Sequence, residues 1–208
     1  MNPAAATPPS VVVFDLGGVI ADWNPRYLFS SIIAETRELD WFLENVCNQK
    51  FFLRLDLARD SHEAARPHMA LFPEHAHHLK TYVERFAETV RGEIAPMGDL
   101  MRRLHQAGVP MHGLTNWAAD TFAATRPRLP VLDLMGHITV SGEEGLVKPD
   151  PRIFDLVCRR GGFTPDQGVF VDDSLKNVEG ARAFGLRAIH HRTPDQTIAD
   201  LRAMGLPA

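Results

Sequence analysis

Cysteine is nearly absent from this 208-residue chain: Cys47 and Cys158 are its only two, and they lie far apart in sequence. Such a chain has no disulfide framework, and a reducing, cytoplasmic setting is the expectation. Also missing is any apolar run long enough to cross a bilayer. Positive charge is not in excess, and a net charge of -4 removes the electrostatic case for a nucleic-acid or anionic-membrane partner. The Ala/Pro-rich start, Met1 to Ser10, lacks basic residues and an apolar core. We therefore read it as a frayed tail, not a secretory signal. Internal repeats and low-complexity blocks are lacking too.

What remains is an ordinary globular composition, 45% apolar and 23% charged. The length suits one large domain, or a core with a small insert, that buries its own interior without staples. Asp15 is the most informative residue. It ends the run Val11-Val12-Val13-Phe14 and opens the turn Leu16-Gly17-Gly18-Val19. A continuous apolar run reads as a strand buried on both faces, as in a parallel sheet. A carboxylate at the carboxyl end of such a strand stands where open α/β sheets build their sites. Burying it is costly unless something compensates. Asn116, Lys148 and the pair Asp172-Asp173 with a metal are the candidates.

The second half alternates strands and helices. Val109–Leu114, His137–Val140, Gly168–Val171 and Arg187–His190 read as strands. Leu100, Met101 and Leu104 keep helical spacing up to Gly108. Asp150-Pro151 supplies a cap and first-turn proline, Ser174 caps the next helix, and Thr193 with Gln196 fits a capping box. This alternation implies βαβ units and a doubly wound parallel α/β sheet. From about Asp22 to Glu93 the periodicity is helical, with no convincing strand. Asn24-Pro25 opens one helix, Trp41, Phe42 and Val46 mark a second, and Leu79 to Val90 form a long third. An all-helical insert after the first strand would overhang Asp15 as a water-excluding lid.

Four motifs then stand in order: Phe14-Asp15-Leu16-Gly17-Gly18-Val19, Gly113-Leu114-Thr115-Asn116, Lys148 in Val147-Lys148-Pro149, and Val169-Phe170-Val171-Asp172-Asp173-Ser174. With them, from about Val11 to Arg192, the chain resembles the haloacid dehalogenase superfamily in its C1-capped, phosphatase-like branch. The resemblance implies a Rossmann-like core of residues 1–21 and 94–208, with a helical cap of residues 22–93. It also implies a Mg²⁺-dependent phosphatase acting on a small phosphorylated metabolite, such as a sugar phosphate, as a monomer or homodimer. Asp15 would be the nucleophile, forming an aspartyl phosphate. Asp15, Asp172, Asp173 and the Gly17 carbonyl would hold the metal, a hard cation that takes oxygen ligands. Lys148 would neutralise the transferring group, and Thr115 and Asn116 would donate to its oxygens. Gly18, Trp117, Arg26 and Ser174, with its helix N-terminus, would contact substrate.

Read singly, these residues have plainer meanings. Thr115-Asn116 is a turn after a strand, Lys148 a solvated loop lysine, Asp172-Asp173-Ser174 a helix cap, and Arg26 a solvated first-turn arginine. Trp117 serves equally as packing. Asn24, Arg54 and Asp56 join Arg26 and Trp117 as candidates for substrate choice, but the cluster Arg54, Asp56 and Arg59 reads more plainly as a solvated face, and His75, His77 and His78 as an exposed polar helix face. Jointly the four motifs would require four accidents.

One position departs from the family pattern. Most of its phosphatases carry a second Asp two residues after the nucleophile, as general acid and base; here it is Gly17. Such help is worth about 10²–10⁴-fold, or roughly 3–5 kcal/mol. Three readings follow: a substrate with a good leaving group, another residue (one of the cap, for example) or a water standing in, or a different reaction. The alternatives are thus a 2-haloacid dehalogenase-type displacement at carbon by Asp15, needing no metal, and a catalytically weak binding or regulatory relative. The paired acids Asp172-Asp173 favour a metal, and so phosphate.

Overall fold

The computed structural model describes residues 8–208. Of the start expected to fray, residues 1–7 lie outside the described part, and the Ser10 N–H is tied to the Gln167 carbonyl at 2.8 Å. Among the described residues seven strands are formed: β1 Val11–Phe14, β2 Ala21–Trp23, β3 Val90–Glu93, β4 Met111–Thr115, β5 His137–Val140, β6 Gly168–Asp172 and β7 Arg187–His190. The helices are α1 Arg26–Phe29, α2 Thr36–Asn45, α3 Gln49–Asp56, α4 Ser61–Leu71, α5 Ala76–Glu84, α6 Ala95–Gln106, α7 Ala119–Thr125, α8 Ser141–Glu144, α9 Pro151–Gly161, α10 Leu175–Phe184 and α11 Pro194–Ala203.

Five strands make a parallel sheet in the order β5-β4-β1-β6-β7. The all-apolar β1 sits in the middle because only a strand covered on both faces can bury Val11 to Phe14 completely. Val12 and Phe14 face Met97, Leu100, Met101 and Leu104 of α6. Val11 and Val13 face Ile153, Phe154 and Val157 of α9 and Val178 of α10. The chain winds outward from β1 to β4 and β5, then recrosses to β6 and β7, so the order reverses beside β1. Ligands of open α/β sheets bind at such a reversal.

Residues 26–84 are helical and hold their own apolar cluster of Leu28, Phe29, Phe42, Phe51, Leu79 and Tyr82. Each fully buried side chain of this kind contributes about 1.5–3 kcal/mol. Two expectations are corrected here. The segment from Asp22 to Glu93 does contain strands: β2 and β3 pair antiparallel as a two-stranded ribbon. Runs of three and four residues carry too few positions to show a period. The long third helix also stops early. α5 ends at Glu84, a 3₁₀ turn covers Phe86–Thr89, and Val90 begins β3. The helix at Asn24-Pro25 is one short turn, opened by Asn24 Oδ1 accepting the Arg26 N–H at 2.9 Å.

The remaining caps follow the sequence closely. Asp150 accepts the Arg152 N–H at 2.9 Å, and Thr193 accepts that of Gln196 at 3.2 Å. Ser174 stands at the N-cap of α10, but its hydroxyl does not cap; its N–H instead donates to Asp172 Oδ1 at 2.8 Å. His75 and His78 are not an exposed face, since both pack on the ring of Phe42. Among the described residues, no helix is long and apolar enough to cross a membrane.

Candidate active site

Where β1, β4 and β6 end, their last side chains meet. Asp15 follows β1, Thr115 closes β4 and Asp172 closes β6. Lys148 reaches in from the loop before α9, and its Nζ lies 2.7 Å from Asp15 Oδ1 and 2.7 Å from Asp172 Oδ2. All three are buried, with Lys148 only 4% exposed. The two carboxylates hold the Lys148 ammonium above its ordinary pKa although burial opposes the charge. Burial, and next the charge of Asp172, push Asp15 well above the usual carboxylate range, and Lys148 offsets only part of this. Asp173 is likewise raised, by burial and by Asp172.

One oxygen from each of Asp15, Asp172 and Asp173 lies within 4.8 Å of the others. Three carboxylates thus face one ammonium, and the cluster is short of positive charge. Its all-oxygen donor set suits a hard dication such as Mg²⁺. Gly18 explains how Asp173 comes so close. Its φ is +75°, and a Cβ there would lie 2.6 Å from Asp173 Oδ2, so only glycine fits this turn. At Gly17 a Cβ would meet nothing within 4 Å.

The other expected site residues divide. Thr115, Asn116, Trp117 and Gly17 line the same cavity as Asp15, Lys148 and Asp173. Asn116 holds Lys148 in place: its Oδ1 accepts the Lys148 N–H at 2.8 Å and its Nδ2 donates to the Lys148 carbonyl at 3.2 Å. The expectation that Asn116 donates to substrate oxygens meets this clamp instead. Arg26 does not line the cavity; it pairs with Asp40 on the surface of the helical segment. Ser174 stays outside the lining and serves Asp172 through its backbone.

Sequence reasoning missed several lining residues. Asn177 donates to both oxygens of Asp172 at 3.1 Å. Its position in the first turn of the helix after β6 was the available signal. Asp56, read as solvated, lines the cavity and is pushed up to about 7 by burial, against the pull of Lys148. The signal was an acid in the stripe Phe51, Phe52, Leu55, Asp56, where helical spacing puts it on the apolar face. The remaining wall is an arc of rings, Trp23, Phe52, Tyr82, Phe86 and Trp117, with successive centroids 5.4–5.6 Å apart. The cavity holds about 200 Å³.

Comparison with known proteins agrees with this architecture. The chain is 27% identical over 203 residues to the sesquiterpene phosphatase astK of Aspergillus oryzae, covering 92% of this chain and 94% of that protein. It is 32% identical over 146 residues to a probable phosphoglycolate phosphatase of Pseudomonas putida, covering 61% of this chain and 56% of the relative. Among solved structures, a HAD family enzyme of Bacteroides thetaiotaomicron, crystallised as a mutant with magnesium and inorganic phosphate, superposes with a TM-score of 0.67. The two are 19% identical, and the match covers 88% of this chain and 94% of the other. L-2-haloacid dehalogenase from Xanthobacter autotrophicus superposes with a TM-score of 0.68 at 18% identity, covering 96% and 84%. Both structural matches speak to the fold. The family model for haloacid dehalogenase-like hydrolases matches residues 9–185, and the chain is a hydrolase that belongs to this family.

Proposed function

We propose that the protein is a Mg²⁺-dependent phosphatase that hydrolyses a small phosphate ester through an aspartyl phosphate on Asp15. The observation that carries this is the convergence of Asp15, Asp172 and Asp173 oxygens within 4.8 Å, beside a single lysine. Those three residues, with the Gly17 carbonyl, would hold the ion, which when bound supplies Lewis-acid charge to a phosphoryl oxygen. Asp15 attacks phosphorus. Lys148 fixes its orientation and offsets negative charge as the anions approach. Thr115 donates to the phosphoryl group, while Asn116 and Asn177 position Lys148 and Asp172. Residues 22–93 form a cap on a core of 1–21 and 94–208, and closure of the cap excludes water.

The organic part of the substrate is apolar. Five aromatic rings make up most of the far wall, a surface on which an apolar body is favoured by burial. The named activity of the relative matched over 92% of this chain, a sesquiterpene phosphatase, supports the same class. Each buried methylene contributes about 0.8 kcal/mol, so a five-carbon apolar body should gain well over tenfold in kcat/KM over a sugar. The measurement is phosphate release from prenyl, alkyl, aryl and sugar phosphates with Mg²⁺ and with chelator. Metal-dependent release favouring the apolar esters is the expected result. Halide release from 2-haloacids in chelator, with no phosphate release, would replace this reading by displacement at carbon.

A further inference from the structure

The missing acid at Gly17 has a counterpart on the far wall of the cavity. Asp56 ends α3 and lines the same cavity as Asp15, Gly17 and Lys148. Its backbone is fastened to the core. The Asp56 carbonyl accepts the Ser141 hydroxyl, whose oxygen in turn accepts the Trp117 N–H at 2.8 Å. Two residues on, the Ala58 carbonyl accepts the Ala119 N–H at 3.0 Å. The Ser61 N–H and hydroxyl both donate to Asp120 Oδ2, at 2.9 and 2.6 Å. This stitching holds the end of α3 against the loops that follow β4 and β5.

The Asp56 carboxyl itself makes no hydrogen bond among the described residues. The ionisable groups acting on it or feeling it are Lys148 and Tyr82. Those on the elements packed against α3 are committed elsewhere: His68 of α4 bonds the Val46 carbonyl, and Glu144 of α8 pairs with Arg160. Burial raises Asp56 to about 7, so near neutral pH it both holds and releases a proton, as a general acid–base group should.

We propose that Asp56 performs the proton transfers that Gly17 cannot. This rests on the phosphatase reading above. As Asp15 Oδ bonds to phosphorus, the bond from phosphorus to the substrate oxygen breaks, and the Asp56 carboxyl gives that oxygen its proton. A neutral alcohol leaves. The Asp56 carboxylate then takes a proton from the water whose oxygen attacks phosphorus. The bond to Asp15 breaks, inorganic phosphate departs, and both aspartates return to their starting state.

The test is kcat/KM, with Mg²⁺, across alkyl and aryl phosphates whose leaving groups span a wide range of acidity. Wild type is compared with Asp56→Asn and with Asp56→Asn/Gly17→Asp. Asp56→Asn should lose about 10²–10⁴-fold on alkyl phosphates and less than about tenfold on nitrophenyl phosphate, whose leaving group needs no proton. For alkyl esters the wild-type fall in kcat/KM as pH rises through about 7 should vanish in the variant. Gly17→Asp, whose Cβ would meet nothing within 4 Å, should restore alkyl turnover in that background. An equal loss for all leaving groups, or an unchanged pH profile, would overturn the role of Asp56 alone. A wild type that releases no phosphate from any ester would overturn the phosphatase reading, and this inference with it.

Discussion

Asp15→Asn should leave the protein folded and remove its turnover. The exchange keeps the shape of a side chain only 7% exposed and lets Asn receive the Leu16 N–H that Asp15 Oδ1 now accepts at 2.7 Å. It removes the negative oxygen proposed to attack phosphorus. Loss of a covalent nucleophile typically costs about 10⁴–10⁶-fold, so phosphate release should fall to background. Stability should move little or rise. The folded-state pKa of Asp15 lies above its ordinary value of 3.8. Its favourable contribution is therefore complete below that value and is lost as pH rises through the folded pKa. Above neutral pH the variant, in chelator, should melt at or above the wild-type temperature. Residual turnover above about one part in a thousand, measured against the nucleophile scale, would mean another residue attacks.

Lys148→Met should act on both stability and activity. Lys148 Nζ bridges Asp15 and Asp172 at 2.7 Å each. Removing one partner of a buried pair costs about 3–5 kcal/mol, because the charge left behind has no compensation. Here two carboxylates are left. Wild-type Lys148 has its pKa raised above 10.5, so its contribution is complete below that value and persists across the neutral range. The variant also takes from Asp15, already raised by burial, the Lys148 charge that offsets part of that rise. Its deficit should therefore be small near pH 5 and grow as pH rises. Urea unfolding at pH 5 and pH 8 reads this directly. Mg²⁺ on the same carboxylates should return part of the stability by mass action, although turnover stays at least about 10²-fold down. A deficit that is independent of pH and of Mg²⁺ would show that Lys148 supports packing, not charge.

The sheet and its catalytic end were legible because each rests on a local signal. The buried strands β1 and β6 announce themselves as apolar runs, and an acid at the end of each interrupts the run. His137–Val140 and Arg187–His190 match β5 and β7 residue for residue. The cavity wall was less legible, because helical periodicity finds an apolar face but not what lies opposite it. Tyr82 and Phe86 satisfy the period whether they meet another helix or a ligand. Asp56 was misjudged for the same reason. Its neighbours Arg54 and Arg59 are exposed, and only the packing of α3 onto the loops after β4 and β5 turns Asp56 inward. Arg26 shows the converse. Closeness in sequence to the first motif did not bring it to the cavity, because β2 carries the chain away before α1 begins.

Among the places where the helical segment is fastened to the sheet domain, two lie on different elements. One is the β2–β3 ribbon, extended by the Ile94 N–H to the Ile20 carbonyl at 2.7 Å. The other is the seam around Ser141, Ala58 and Asp120. A body held at both margins does not swing as a door on one hinge; on the cap reading proposed above, a substrate would enter by parting the seam while the ribbon holds. The amide hydrogens of Ala119 and Ser61 bond across that seam and should exchange with solvent each time it parts. Those of Val12 and Val13, deep in the sheet, should wait for global unfolding. The factor by which a seam amide exchanges more slowly than a free amide converts, as RT times its logarithm, into the free energy of opening.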